Sequence, residues 1–556
     1  MFSAILLILT ADVIAQVELV PVQNPVYSFL KRMQLKNVID FNSSALPLSR
    51  KEVSDLIGIS LLSKKLSIID KAILKEYQNE FGYELGFGLS KSSAFFKEPS
   101  NVFKQDKQKN LYNFADSNAT LFIDGTGYLS LRKSSGDSLG DHSIGLGELG
   151  MRFRGTVKGI LGYYIRLSNG ASLTQKSKND LDFLTATNPY FLANSKFQNQ
   201  DANTYDSYEG YMRIATKDEL LSLTVGREAL TAGFGYIDKL FLSTNTVPYN
   251  YVRADVKYKA LEYFFLYGSL KGDSLGIKDI ESKFLVTHRL TMNFSPVFKM
   301  GIFESLIISD SPFNFTYINP LSFIRSADYN AGVTQSDKNN ALLGFDLEVK
   351  PAANIAAQAS LLIDDLNFST IFSGRQADDR VATDNRFGIQ LGTIWTDAFT
   401  LPNLTASLEY SRLDPFVYTH RTNKSNYTNW KLPLGHDLPP NSDEIALNLD
   451  YSISSRLKVN FLYQHQRMAN GFLIRNDSLI INYGGNIERG DGDIQAEHKF
   501  LEGNRSSRDL VTLGVRWEPI KQIYLDLKAV KWMTEKMYNN TKLNDTYFFV
   551  TLSTDF

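Results

Sequence analysis

Two hydrophobic periods divide this chain. Between Pro25 and about Phe81 the apolar residues recur at helical spacing. Val26, Phe29, Leu30 and Met33 form one stripe, with Pro25 suited to a first helical turn. Ser49 and Glu52 have the spacing of a capping box ahead of Val53, Leu56 and Ile57. A third helix is expected near Ser67, with Ile69, Ala72, Ile73 and Tyr77 on one side. Three short amphipathic helices cannot build a large core alone, so they must pack on each other and on something else.

After about residue 90 the period becomes two. Leu149, Met151 and Phe153 alternate with Gly150, Arg152 and Arg154, and Leu161, Tyr163, Ile165 and Leu167 with Gly162, Tyr164, Arg166 and Ser168. Similar alternation runs through Leu343–Val349, Phe387–Leu391 and Val511–Trp517, and it ends in "TYFFVTLSTDF". There Phe548, Val550, Leu552 and Phe556 oppose Tyr547, Thr551, Ser553 and Asp555. A soluble sandwich or propeller also alternates, but its turns recur every ~8–12 residues. Here strands near ten residues are separated alternately by brief turns and by long polar stretches such as 174–205 and 471–506. Apolar-out, polar-in strands with short turns at one end and long loops at the other predict an all-β transmembrane barrel, large, antiparallel and even in strand number. Lipid offers the backbone no water, so the sheet must close, and the last strand is expected to pair with the first. The terminal aromatic also looks like the signal read by the bacterial barrel-insertion machinery.

Composition narrows the class further. The chain of 556 residues carries 37 Phe and 28 Tyr, a formal net charge of −1 and no cysteine. Near-neutrality gives no field to attract nucleic acid. The missing cysteines exclude disulfides, thiolate metal sites and a cysteine nucleophile. Residues 1–15, "MFSAILLILTADVIA", read as a signal peptide cleaved after Ala15, although no Lys or Arg precedes the apolar run; the alternative is a buried N-terminal strand or helix. No later stretch reaches the ~18 apolar residues of a membrane-spanning helix. The expected organisation is a helical region over 16–89, followed by a barrel over 90–556 with long extracellular loops.

Candidate chemistry is sparse. The six histidines show no metal-ligand spacing, so neither a metal nor a cofactor is expected. Asp364 and Asp365 are neighbours on a strand and point to opposite faces, which suits a strand end better than an acid–base pair. Arg227 and Glu304 stand beside apolar strand positions. On a lipid face either charge is expensive, so both are expected to turn into the lumen or sit at the rim, or simply to form mutual or local ion pairs that brace the lumen. The stretch "VYTHRTNKSNYTNWKLPLGHD" has the residue types of a sugar site. Tyr418, Tyr427 and Trp430 offer faces, Asn426 and Asn429 amides, and Arg421 a fork for an acidic sugar. The alternative is an aromatic girdle at the membrane interface. Tyr317 and Asn319 of "YINPL" are candidates of the same kind, or simply a turn that ends a strand.

The segments "PVYSFLKRMQLKNVIDFNSSALPLSRKEV", "GREALTAGFG", "LFLSTNTVPYNYVR", "DKNNALLGFDLEV" and "LGHDLPPNSDEI" resemble the capsule-assembly Wzi family of outer-membrane proteins over nearly the whole mature chain. The Asn- and Tyr-rich loops look like those of Bacteroidetes-type members. The resemblance implies an 18-stranded barrel closed at its periplasmic mouth by the helices. It implies a non-enzymatic, lectin-like role in holding surface or capsular polysaccharide at the cell surface. Outer-membrane lipid and the insertion machinery would be the other partners. A channel or transporter is the alternative, and a barrel enzyme the third reading. Repeating polymer units would let many weak sites hold one chain through avidity.

Overall fold

The computed structural model describes residues 16–88, 108–174, 204–272, 282–330, 338–365, 385–421, 423–475, 479–490 and 499–556, with residues 100, 103, 495 and 496. The expected signal peptide lies outside the described residues, as do most of 174–205 and His498.

Eighteen antiparallel strands close into one barrel. The first four are β1 (Thr120–Gly136), β2 (His142–Val157), β3 (Leu161–Ser172) and β4 (Thr204–Ala215). Next come β5 (Leu221–Glu228), β6 (Tyr249–Tyr258), β7 (Leu261–Lys271), β8 (Ser282–Asn293) and β9 (Phe298–Ser309). They continue as β10 (Asn340–Ala352), β11 (Ile355–Asp365), β12 (Arg386–Thr396), β13 (Leu404–Leu413) and β14 (Ser442–Ser452). The last are β15 (Leu457–Asn470), β16 (Asn504–Ile520), β17 (Ile523–Lys536) and β18 (Thr541–Asp555). A short strand, Tyr112–Ala115, forms a hairpin with the start of β1. Among the described residues the first long strand of the barrel begins at Thr120.

As expected, the terminal strand closes the sheet. β18 pairs with β1 from Asp545 opposite Gly136 to Asp555 opposite Thr126, and Phe556 exchanges both backbone hydrogen bonds with Gly125 at 2.7 and 2.8 Å. Phe548 and Leu552 face outward and exposed, while Tyr547 turns in and is buried. One end of the barrel carries tight turns, such as Lys158–Ile160, where Lys158 (φ 52°) and Gly159 (φ 66°) take the left-handed backbone that tight hairpins favour. All long connections leave from the other end.

The N-terminal region supplies α1 (Val26–Leu35), α2 (Arg50–Leu61) and α3 (Ile68–Glu80). Ser49 and Ser67 each close a capping box, with Glu52 and Asp70 respectively. The stripe on α1 is buried as the spacing predicts. On α3 the buried face is Asp70, Ile73, Leu74 and Tyr77, with Ala72 exposed and Ile69 only half-buried. The helix is rotated from the expected face because Asp70 is drawn inward by two cations, Arg32 at 2.8 Å and Lys36 at 2.6 Å. The helices pack on the short-turn end: Leu35 O accepts from Asn354 N at 2.9 Å, Ser67 Oγ donates to Asn403 at 2.8 Å, and Glu76 pairs with Arg456 and Lys521 at 3.0 and 2.9 Å.

The lumen departs from the expected polar lining. Inward positions on one side are apolar, and Phe264, Leu266, Leu285, Phe303, Ile307 and Leu342 form a buried cluster. The connection after β5 folds down inside the barrel and fills this sector with Leu230, Leu240, Phe241 and Leu242, so these strands are buried on an inner core as well as on their outer face. Its Thr231–Ala232 pairs with Ala45–Leu46 of the N-terminal region.

Candidate functional site

Glu348 of β10 ties the two inner segments together. It pairs with Lys31 of α1 at 2.5 Å and accepts from Tyr236 of the inner connection at 3.1 Å. Beside it, Arg289 and Asp346 form a fully buried bidentate pair at 2.7 and 2.9 Å, and Asp346 also accepts from Phe234 N at 3.0 Å. Helices from one end and a connection from the other thus meet within this half of the barrel.

The opposite half, walled by β1–β4 and β15–β18, keeps a cavity of about 620 Å³ above the helices. Its lower wall is ionic: Arg152 bridges Asp124 at 2.8 Å and Asp555 at 2.7 Å, which also fixes the C-terminal strand. Its upper wall begins at Tyr128 and Tyr205, whose hydroxyls hydrogen-bond each other, and continues into the inward-facing Trp532, Tyr547 and Phe549.

At the long-loop end, the connection between β13 and β14 descends onto the inner apolar core. Tyr418 and Tyr427 stack with centroids 5.4 Å apart, and both rings are fully buried. Their hydroxyls donate to Leu240 O at 2.7 Å and Phe241 O at 3.0 Å. Asn429 accepts from Lys271 N at 3.0 Å and donates to Val247 O at 3.1 Å, while Asn426 bonds His420 N and Ile487 O. These four expected sugar contacts are therefore loop-packing residues, buried because their polar atoms satisfy neighbouring backbone. Trp430 and Arg421 remain at the surface, the first half-buried and the second exposed. Trp430 lies under the Lys271 ammonium, 4.2 Å from the ring centroid, and Lys431 beside it pairs with Glu488 at 3.3 Å.

Tyr317 and Asn319 lie elsewhere, on the outside of the barrel. Tyr317 is buried and donates to Asp328 at 3.0 Å; Asn319 caps a turn by accepting from Leu321 N at 3.1 Å. Arg227 occupies an outward position at the long-loop end of β5, over the ring of Tyr208 at 4.9 Å, which is a rim placement. Glu304 is neither luminal nor at the rim. It faces outward from β9, beneath a folded segment that neutralises it. Asp364 turns inward at a strand end and accepts from Tyr418 N, a structural role.

Sequence spacing missed one cluster. Asp238 of the inner connection lies 3.5 Å from His436 Nδ1, and Asp437 lies 3.4 Å away. Among the described residues this is the group whose ligand-type atoms converge within 4.8 Å. The two carboxylates hold the imidazole well above its usual range despite the lowering effect of burial. The group reads as a buried ion pair that pins two loops together. Nothing local marks it, since Asp238 and His436 lie far apart in sequence.

A model of the family described as "Capsule assembly protein Wzi" matches residues 147–529. The chain belongs to the Wzi family. A comparison with curated proteins returned no match. Among solved structures, the Wzi-family barrel is similar to the Escherichia coli outer-membrane protein Wzi, a carbohydrate-binding β-barrel involved in group 1 capsule assembly, at a TM-score of 0.57 and 13% identity over 97% of this chain and 99% of that one. Weaker matches are Pseudomonas aeruginosa OpdK, with TM-score 0.45, 10% identity and 78% and 99% coverage, and Acinetobacter baumannii OccAB2, with 0.45, 11%, 78% and 98%. Family and fold together make this Wzi-family chain an outer-membrane barrel.

Proposed function

We propose that this Wzi-family barrel is a non-enzymatic protein that holds surface or capsular polysaccharide at its outward mouth and so helps assemble the polymer on the cell. The observation that carries the reading is the meeting of helices and inner connection on Glu348, which fills half of the lumen with packed protein. A filled lumen suits a surface that retains a polymer better than one that passes solute. The short-turn end, with its helices, is the periplasmic end, and the long loops face outward. Trp430 and Arg421 are the proposed contacts from the first candidate set, joined by Lys271 and Lys431. A shallow cationic and aromatic surface of this kind binds weakly per unit, and repetition along the polymer supplies avidity.

The deciding test compares surface-attached and shed polysaccharide in cells with and without the protein. Unchanged total polymer that moves to the medium is the expected result. Unchanged attachment would remove the anchoring role and leave only the barrel.

A further inference from the structure

The segment that leaves β9 does not stay at the outward end. It turns down along the outside of the barrel, where a 3-10 turn (Phe315–Tyr317) leads to a short helix, α4 (Ile324–Asn330). Tyr317, Ile324 and Ala327 pack on Phe265, Val286 and Leu306, which are outward-facing residues of β7, β8 and β9. At its lowest point Pro320 O accepts from Tyr263 Oη, and Tyr263 is only two residues from the short-turn end of β7. From Lys271 down to Tyr263 is about 27 Å of strand, or about 20 Å of height at the usual tilt, against an apolar band about 25 Å tall. The segment therefore spans a height comparable with that of the lipid band.

Irregular backbone in lipid is tolerated where its polar groups are satisfied, and local hydrogen bonds satisfy many of the amides of this segment. Asn314 Oδ1 accepts from Thr316 N at 2.9 Å and Asn319 Oδ1 from Leu321 N at 3.1 Å. Ile318 N reaches Phe315 O at 3.1 Å, and two prolines, Pro312 and Pro320, carry no donor. The first amides of α4, Ile324 N and Arg325 N, donate to the Glu304 carboxylate at 2.9 and 2.7 Å. His288 holds the same carboxylate at 3.1 Å and meets Tyr263 Oη at 3.3 Å. A charge that would be costly on bare lipid-facing wall is thus enclosed. Arg325, the cation of α4, is occupied by Asp328 at 3.4 Å and by the Tyr329 hydroxyl at 3.2 Å.

The other face of the segment carries three strongly exposed apolar side chains, Phe315 at 80%, Leu321 at 86% and Phe323 at 70%, beside the exposed polar residues Thr316, Asn319, Ser326 and Asn330. On either side of it the same outer surface presents Val256, Leu261 and Phe345, also exposed. We propose that residues 312–330 form a membrane-embedded flap, whose outer face of Phe315, Leu321 and Phe323 contacts the acyl chains of outer-membrane lipid in place of the β7–β9 wall it covers. Continuity with the flanking lipid-facing strands names the occupant. The outward Glu304–His288–Tyr263 chain, enclosed beneath the flap, explains how a polar wall coexists with that depth.

The absence of cysteine makes the test direct. Single Phe315→Cys, Leu321→Cys and Phe323→Cys variants of the full chain are spin-labelled and reconstituted in phosphatidylcholine–phosphatidylglycerol vesicles. Collision with oxygen, which concentrates in hydrocarbon, is compared with collision with a polar nickel chelate. Leu261→Cys and Arg421→Cys serve as the lipid and water references. The oxygen-to-nickel ratio at the three flap positions is expected to match Leu261→Cys and to exceed Arg421→Cys by at least about tenfold, the scale of excluding one polar group from hydrocarbon. A ratio like that of Arg421→Cys would place the flap in water and overturn the proposal. Shielding from both reagents would assign the face to protein, such as a second copy, and overturn it equally. Retained gel mobility of the folded barrel certifies each variant, and three independent sites guard against one that fails to insert. None of these outcomes depends on polysaccharide binding.

Discussion

Replacing Asp70 with alanine should loosen the helical region without disturbing the barrel. Asp70 is fully buried and accepts from Arg32 at 2.8 Å, from Lys36 at 2.6 Å and from Ser67 N at 3.2 Å. Burial alone would raise its pKa, but the two cations hold the carboxyl below its usual range. Removing one member of a buried ionic group costs about 3–5 kcal/mol because the other charges stay desolvated. Asp397 offers partial relief, since it lies 2.7 Å from Lys36 and 3.6 Å from Arg32 and its side chain is 25% exposed. The lower end, about 3 kcal/mol, is therefore appropriate. Losing half of the α3 capping box adds about 1 kcal/mol. Together these raise the opening constant of the helices by about a thousandfold. Hydrogen exchange of the detergent-solubilised full chain reads this constant directly, through peptides covering α1 and α3. Asp70→Asn retains the cap acceptor and should fall between wild type and alanine. Exchange in α1 and α3 within about threefold of wild type would refute the claim that this ionic group holds the helices in place.

The junction between α2 and the β4–β5 turn should be tightest over a bounded pH window. Although burial opposes it, Lys257 lowers Glu52 to about 2 from 4.5, so its stabilisation is complete above about 4.5 and is lost as pH falls toward 2. Glu219 is pushed up to about 7 by burial and by Glu52, so its contribution is complete below about 4.5 and is lost as pH rises through 7. Exchange of α2 amides should be slowest near pH 4.5, where both contributions are complete, and Glu219→Gln should abolish the loosening as pH rises toward 7. Tyr418→Ala should cost about 3–5 kcal/mol in unfolding by denaturant, and Tyr418→Phe about 1 kcal/mol through the lost hydrogen bond to Leu240. If Trp430 is a polymer contact, Trp430→Ala should lower polysaccharide retention while leaving thermal unfolding unchanged. Equal losses in both would make Trp430 a packing residue like Tyr418.

Much of the architecture was legible along the chain because a barrel writes its geometry locally. Each strand exposes alternate residues to lipid, so Leu149, Met151 and Leu167 declare their face without reference to any distant partner. The capping box at Ser49 is equally local, since four residues contain the whole motif. The candidate site was far less legible. Tyr418, Asn426, Tyr427 and Asn429 have the side chains that bind sugar, but those same groups can satisfy loop backbone, and composition cannot tell which partner arrives. Asp70 turned α3 because Arg32 and Lys36 lie on other parts of the helical region, beyond any helical period.

The sequence by itself determined the membrane-spanning sheet, its short-turn and long-loop ends, its closure by the C-terminal strand and the three N-terminal helices, because each depends on spacing within a few residues. The tertiary structure alone decided what occupies the barrel and what covers it. The inner connection chose one sector of wall and made its inward side apolar, the cavity remained on the other sector, and the 310–330 segment folded over Glu304 on the outside. These choices depend on contacts between residues up to hundreds of positions apart. Period-two alternation reports only that a residue faces in or out, not whether water, lipid or protein waits there.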